Sequence, residues 1–142
     1  SPLPLVVMST RNDAELQVLR SRLGDQNIVY RPMGSLPDFL RALQLARASI
    51  ESPSFGGGFT AIDALSQGTP VITLPGQFMR SRLSLGFSIE AGFGEWIARD
   101  EDEFVAKCVA ASTREKNRRP NLEALYSNTQ AAEAFHKMLL DA

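Results

Sequence analysis

The chain has 142 residues, 44% of them apolar and 22% charged, and its 15 basic and 16 acidic side chains leave a net charge of −1. That is one domain of ordinary globular composition, which excludes a disordered tail, a collagenous repeat and a small disulfide scaffold. The balanced charge lacks the basic footprint of a nucleic-acid binder, and no apolar run approaches the roughly 20 residues of a membrane span. Cys108 is the only cysteine, so no internal disulfide forms and a reducing cytoplasm is the natural setting. With His136 as the only histidine, a zinc site of Cys and His ligands cannot be built. The start at Ser1, with no basic leader before an apolar stretch, reads as a piece of a longer protein.

In chain order the sequence alternates strands and helices. Leu5–Met8 is a continuous apolar run, the pattern of a strand buried on both faces. A polar turn from Ser9 to Asp13 follows. Leu16, Leu19 and Leu23 then recur at helical spacing, and Gly24 stands where that helix stops. Ile28–Tyr30 is a second strand, closed by Arg31-Pro32. Ser35 caps the next helix, with Pro37 and Asp38 in its first turn and Phe39, Leu40 and Leu43 along its apolar stripe. Ala48–Ile50 forms a third strand.

Ser52 to Gly58 is a loop, and Phe59 to Gln67 a helix ended by Gly68. Val71–Leu74 is another buried strand, stopped by Pro75-Gly76. Further on come a helix around Ser81–Phe87, a short strand near Trp96-Ile97 and a helix from Glu101 to Ala111. In the last of these Phe104, Val105, Cys108 and Val109 share a face. Phe93 and Trp96 read as packing residues at the sheet edge, and 114–119 as a solvated connector. A final helix over about 129–141 buries Ala132, Phe135 and Leu139 and leaves His136 to solvent. The pattern predicts an α/β domain, a Rossmann-like parallel sheet with helices on both faces, spanning residues 1–142.

Gly56-Gly57-Gly58 follows a strand and opens a helix, where open parallel sheets bind ligands. Unpaired N–H groups and a partial positive charge there suit a phosphate, and glycines let an anion approach the backbone. Thr60 adds a hydroxyl in the first turn. Asp63, a turn further in, is placed for a sugar diol, though a carboxylate near a helix start is also stabilised by the dipole. Arg80 and Arg82 flank the loop after the next strand, in reach of a diphosphate or simply lining the cleft. The spacing is neither a Walker loop nor a first-turn GxGxxG.

Taken together, Leu45–Pro53, Gly57–Leu65, Gly68–Gly76 and Ser81-Arg82 resemble the O-linked GlcNAc transferase family, TPR-linked glycosyltransferases of GT-B fold that include the SPINDLY-type relatives. Trp96–Arg99 and Leu125–Thr129 extend the resemblance, which runs from about residue 28 to the end. It implies the C-terminal, nucleotide-sugar-binding lobe of a protein O-glycosyltransferase, with UDP-GlcNAc or a related donor as substrate and no cofactor. The diphosphate turn then falls on Gly57, Gly58, Phe59 and Thr60, the ribose acid on Asp63, and the base site on Gly34 and Leu36 through backbone groups and on Phe39. Human-type members carry His at the positions of Gly58 and Phe39 and Thr at that of Phe59. The family's phosphate-contacting Lys falls before residue 1, and the catalytic residues fall mostly outside this segment. Implied partners are the N-terminal lobe, a TPR region and an acceptor protein, with neither nucleic acid nor membrane, and one lobe alone is expected to lack turnover. The alternative is a non-catalytic nucleotide- or phosphate-binding, or protein-interaction, module derived from such a lobe.

Overall fold

The computed structural model describes residues 3–9, 13–24, 27–116, 118–127 and 129–140. The elements are β1 (Leu5–Ser9), α1 (Asp13–Leu23), β2 (Ile28–Pro32), α2 (Leu36–Leu45), β3 (Ser49–Ile50), α3 (Gly58–Ser66), β4 (Val71–Ile72), α4 (Leu83–Glu90), α5 (Glu101–Ala111), α6 (Leu122–Tyr126) and α7 (Gln130–Leu140). Of the expected turn after β1, residues 10–12 lie outside the described residues, as do Asn128 and the side chain of Leu16.

Among the described residues both pairs of named strands are parallel. β1 pairs with β2 from Leu5↔Ile28 to Ser9↔Pro32, and β3 with β4 through Ser49↔Val71 and Ile50↔Ile72. The two pairs form separate two-stranded sheets among the described residues. Parallel strands joined by helices make this an α/β chain, as the alternation predicts. The core lies around β4, where Val71, Ile72, Leu65, Ala64 and Phe93 are fully buried. Phe39 and Leu43 of α2 join it, and Met8 of β1 packs against its rim.

Local chemistry explains most boundaries. Ser35 and Asp38 form a reciprocal capping box at the start of α2, with Pro37 in its first turn. Gly24 and Gly68 close α1 and α3 with φ of +70° and +71°, a conformation that costs glycine least. Asp100 caps α5 by accepting the Glu103 N–H at 2.8 Å.

Four expectations need correction. β1 is a strand but is not buried on both faces: Leu5 is 42% and Val6 49% exposed, because β2 alone pairs with it. Val105 and Val109 of α5 are exposed, and the face turned inward carries the half-buried Phe104 and Cys108 and the buried Ala111. Burial pushes the Cys108 thiol pKa up. The strand near Trp96-Ile97 is a 3₁₀ turn, Gly94–Trp96, followed by one parallel bridge from Ile97 to Thr73. Finally, α7 is helical as expected but leaves Ala132 exposed and Phe135 and Leu139 each 58% exposed. Its amphipathic pattern specifies a face that seeks cover, and the described residues do not supply that cover.

The 114–119 segment also departs from expectation, since it does not simply connect. Lys116 Nζ donates to the Leu43 carbonyl at 3.3 Å, to the Gln44 carbonyl and to Thr69 Oγ1 at 2.8 Å. Arg114 donates to the Gly68 and Arg47 carbonyls, each at 3.3 Å. These cations satisfy carbonyls at the C-terminal ends of α2 and α3, where positive charge is favourable. Burial lowers the pKa of both side chains. His136 is exposed, as read.

One carboxylate sets an acid limit. Glu103 Oε2 accepts the Arg99 side-chain Nε–H at 2.9 Å and its backbone N–H at 2.8 Å, and Lys107 lies 3.2 Å from Oε1. Those bonds hold the Glu103 carboxyl down to about 2, from an ordinary 4.5. Between these values the unfolded chain binds the proton more readily than the folded one. The contribution of Glu103 is therefore complete above pH 4.5 and lost as pH falls to about 2. A series of thermal unfolding curves on wild type and Glu103→Gln checks this. Their difference in midpoint should be constant above pH 5 and close towards pH 2; a difference unaltered by acid would refute it.

Candidate functional site

The glycine loop is built by the end of β3 and the start of α3. Glu51, directly after β3, donates its N–H to the Ile72 carbonyl at 3.1 Å and so continues the pairing with β4. The chain then turns at Ser52–Phe55, closed by the Phe55 N–H to the Ser52 carbonyl at 3.2 Å. Gly56 donates to the Arg80 carbonyl at 2.7 Å, which ties the loop to the segment before α4. Gly57 is the N-cap of α3 and has no side chain with which to cap.

Four N–H groups at a helix start have no acceptor within the helix. In α3 these belong to Gly57, Gly58, Phe59 and Thr60. The Gly57 N–H is taken by Glu51 Oε1 at 2.5 Å. The other three meet no acceptor among the described residues. Gly57, Thr60, Glu51 and Phe55 line a cavity of about 210 Å³ together with residues of β3.

The three glycines have different reasons. A Cβ on Gly56 would stand 3.2 Å from the Arg80 carbonyl oxygen and 3.3 Å from Glu51 Oε2; one on Gly57 would collide with Thr60 Oγ1. Gly58 is different. A Cβ there would meet only Leu83 Cδ1, at 4.0 Å, and its φ is not left-handed. Packing and backbone geometry therefore both permit a Cβ at 58.

Asp63 is the sixth residue of α3, in its second turn, beyond the range in which the helix dipole stabilises a carboxylate strongly. It is half-buried, and its carboxylate makes no hydrogen bond or ion pair among the described residues. Helix stabilisation thus accounts poorly for an acid here.

The remaining expected site residues are placed less uniformly. Phe59 is 85% exposed at the start of α3, beside the free N–H groups. Gly34 and Leu36 are exposed at the start of α2, outside the 210 Å³ cavity. Phe39 lies in the core at 9% exposure, so its ring offers no open face for stacking on a base. The Arg80 guanidinium rests over the Phe78 ring at 4.6 Å while its carbonyl holds Gly56, and Arg82 is exposed as the N-cap of α4. Glu51, which no motif singles out, is the group that organises the loop. The available signal is its position, directly after a buried parallel strand, where such sheets place functional groups.

Among the described residues no group of three or more His, Cys, Asp or Glu side chains is assembled to hold a metal ion, and no helix is long and apolar enough to cross a membrane.

Parallel strands followed by helices define the broad class of α/β domains, whose ligands sit at the carboxyl ends of the strands. Within that class the chain belongs to glycosyl transferase family 41, whose profile matches residues 5–137. It is 29% identical over 91 residues to the UDP-N-acetylglucosamine–peptide N-acetylglucosaminyltransferase of Caenorhabditis elegans, across 64% of this chain and 8% of that protein. Its fold is similar to that of a mutant O-GlcNAc transferase of Thermobaculum terrenum, with a TM-score of 0.79, 19% identity, and coverage of 97% of this chain and 30% of that one. The chain therefore spans less than a third of the length of either relative.

Proposed function

We propose that this chain is the C-terminal, donor-binding lobe of a protein O-glycosyltransferase, which transfers a sugar from a nucleotide-sugar to Ser or Thr of an acceptor protein. The donor is UDP-GlcNAc or a related nucleotide-sugar, in keeping with the name of the curated relative. Its diphosphate is received by the N–H groups of Gly58, Phe59 and Thr60, and its ribose diol by the Asp63 carboxylate. The base lies over the start of α2 against backbone groups of Gly34 and Leu36, with no stacking from Phe39. Arg80 and Arg82 lie at the edge of the diphosphate site. The helix N-terminus supplies the compensating charge, so neither metal nor cofactor takes part. The observation that carries this reading is the start of α3, directly after a parallel strand, where the N–H groups of Gly58, Phe59 and Thr60 meet no acceptor among the described residues.

Residues 52–60 carry no ionisable side chain. Asp63 is assigned to the ribose and the Glu51 carboxylate is engaged by Gly57, Thr73 and Ser84, so proton transfer at the reacting oxygen falls to the rest of the parent protein, where the N-terminal lobe, a TPR region and the acceptor complete the site in a cytoplasmic enzyme. The same lack of an ionisable group favours, as the second reading, a lobe that binds nucleotide without catalysis.

Calorimetry with uridine diphosphate on wild type and Asp63→Ala tests the assignment. Loss of a charge-assisted hydrogen bond should cost about 1.5–3 kcal/mol of affinity. Stability should change by less than about 1 kcal/mol, because the Asp63 carboxylate has no partner to lose among the described residues. Equal affinities would remove Asp63 from the site.

A further inference from the structure

Glu51 ties together three separate parts of the chain. Its Oε1 accepts the Gly57 N–H and the Ser84 hydroxyl, each at 2.5 Å, and its Oε2 accepts the Thr73 hydroxyl at 2.7 Å. Thr73 and Ser84 are each only 1% exposed. The carboxylate thus joins the end of β3, the strand beside it, α4 and the start of α3.

We infer that Glu51 is the positioning residue of the nucleotide site, holding α3 so that an anion is received by Gly58–Thr60. This rests on the donor-binding reading above. The physical reason lies in how helices are capped. An ordinary N-cap Ser, Thr, Asp or Asn turns its own oxygen onto the N–H of the second or third helical residue. In α3 that would consume the groups of Phe59 or Thr60, which the ligand needs. Gly57 cannot do so, and Glu51 reaches in from β3 to bind the Gly57 N–H alone. The helix start is fixed while its next three donors stay free. Two variants separate the geometry of this carboxylate from its charge. Glu51→Gln keeps the length and an acceptor oxygen for Gly57 and Ser84, and removes a negative charge that repels a nearby diphosphate. Glu51→Asp keeps the charge but withdraws the oxygens by one methylene from Gly57, Thr73 and Ser84.

The test is calorimetry of uridine diphosphate on wild type, Glu51→Gln and Glu51→Asp, with thermal unfolding of each and amide spectra of residues 57–60. The expected order is Glu51→Gln binding at least as tightly as wild type and Glu51→Asp binding about tenfold or more weakly, with the Gly57 amide signal moved in both and those of 58–60 moved only in Glu51→Asp. A folded Glu51→Asp with wild-type affinity, or the reverse order of the two variants, overturns the inference while the donor site stands. A wild-type chain that binds no uridine diphosphate overturns both together.

Discussion

Replacing Gly58 with valine is expected to abolish nucleoside diphosphate binding while leaving the chain folded. The effect is steric and local. In a helix each Cα–Cβ bond tilts towards the N-terminus, so a branched apolar side chain on the first residue of α3, which unlike a histidine cannot itself donate to an anion, crowds the approach to the free N–H groups. A Cβ there meets only Leu83 Cδ1, at 4.0 Å, and the backbone of Gly58 is not in the left-handed region. The Cβ therefore meets no clash and the backbone no strain, and the midpoint of unfolding should hardly move. Up to three hydrogen bonds to a charged group are denied to the ligand, each worth about 1.5–3 kcal/mol. The affinity of uridine diphosphate should fall by at least about 3 kcal/mol, a factor of more than about 100. Glycine-to-alanine at the same position should lie between the two. Calorimetry beside a thermal melt checks it; a folded Gly58→Val chain with unchanged affinity would make the loop a connector.

Phe93→Ala should have the largest effect on stability, a loss of about 3–5 kcal/mol. Phe93 is the largest of the fully buried side chains and belongs to the core cluster of α2, α3 and β4. Its ring also lies under two guanidinium groups, Arg118 at 5.4 Å and Arg114 at 5.8 Å. Arg118 in turn pairs with Glu95 at 2.5 Å, and Arg114 binds the carbonyl that ends α3. Removing the ring leaves a cavity and frees two cations that fasten the 114–118 segment. Against a typical total of about 5–15 kcal/mol, the loss is a large fraction of the whole. Denaturant unfolding gives the number directly, and a loss below about 1 kcal/mol would mean that the core closes over the gap.

Much of this was legible in the sequence, and where it was not the reason is physical. Capping by Ser35 and the helix stops at Gly24 and Gly68 are local events, written within a few residues, and the structure repeats them. So too the span of α5, from the cap at Asp100 to Ala111. Burial is not local. Leu5, Val6, Phe135 and Leu139 have the patterns of covered residues, yet what covers a strand or a helical face is a property of the rest of the assembly. The cationic segment misled for a related reason: charge predicts exposure only when no carbonyl ends lie in reach, and Lys116 finds those of α2. At the site, the helix that follows the three glycines could be read from spacing alone. Phe39 could not, because one stripe on α2 serves both core and surface, and its ring went to the core. Glu51 passed unnoticed because its three partners come from residues 57, 73 and 84, brought together only by the fold.

The most direct test is a titration of uridine diphosphate into the isotopically labelled chain, followed by amide chemical shifts with and without magnesium. A receiving helix end predicts saturable shifts that are largest at Gly58, Phe59 and Thr60, followed by Asp63 and the start of α2, and indifferent to the metal. Amides of residues 58–60 that do not respond at millimolar nucleotide, or shifts confined to another face, would contradict it.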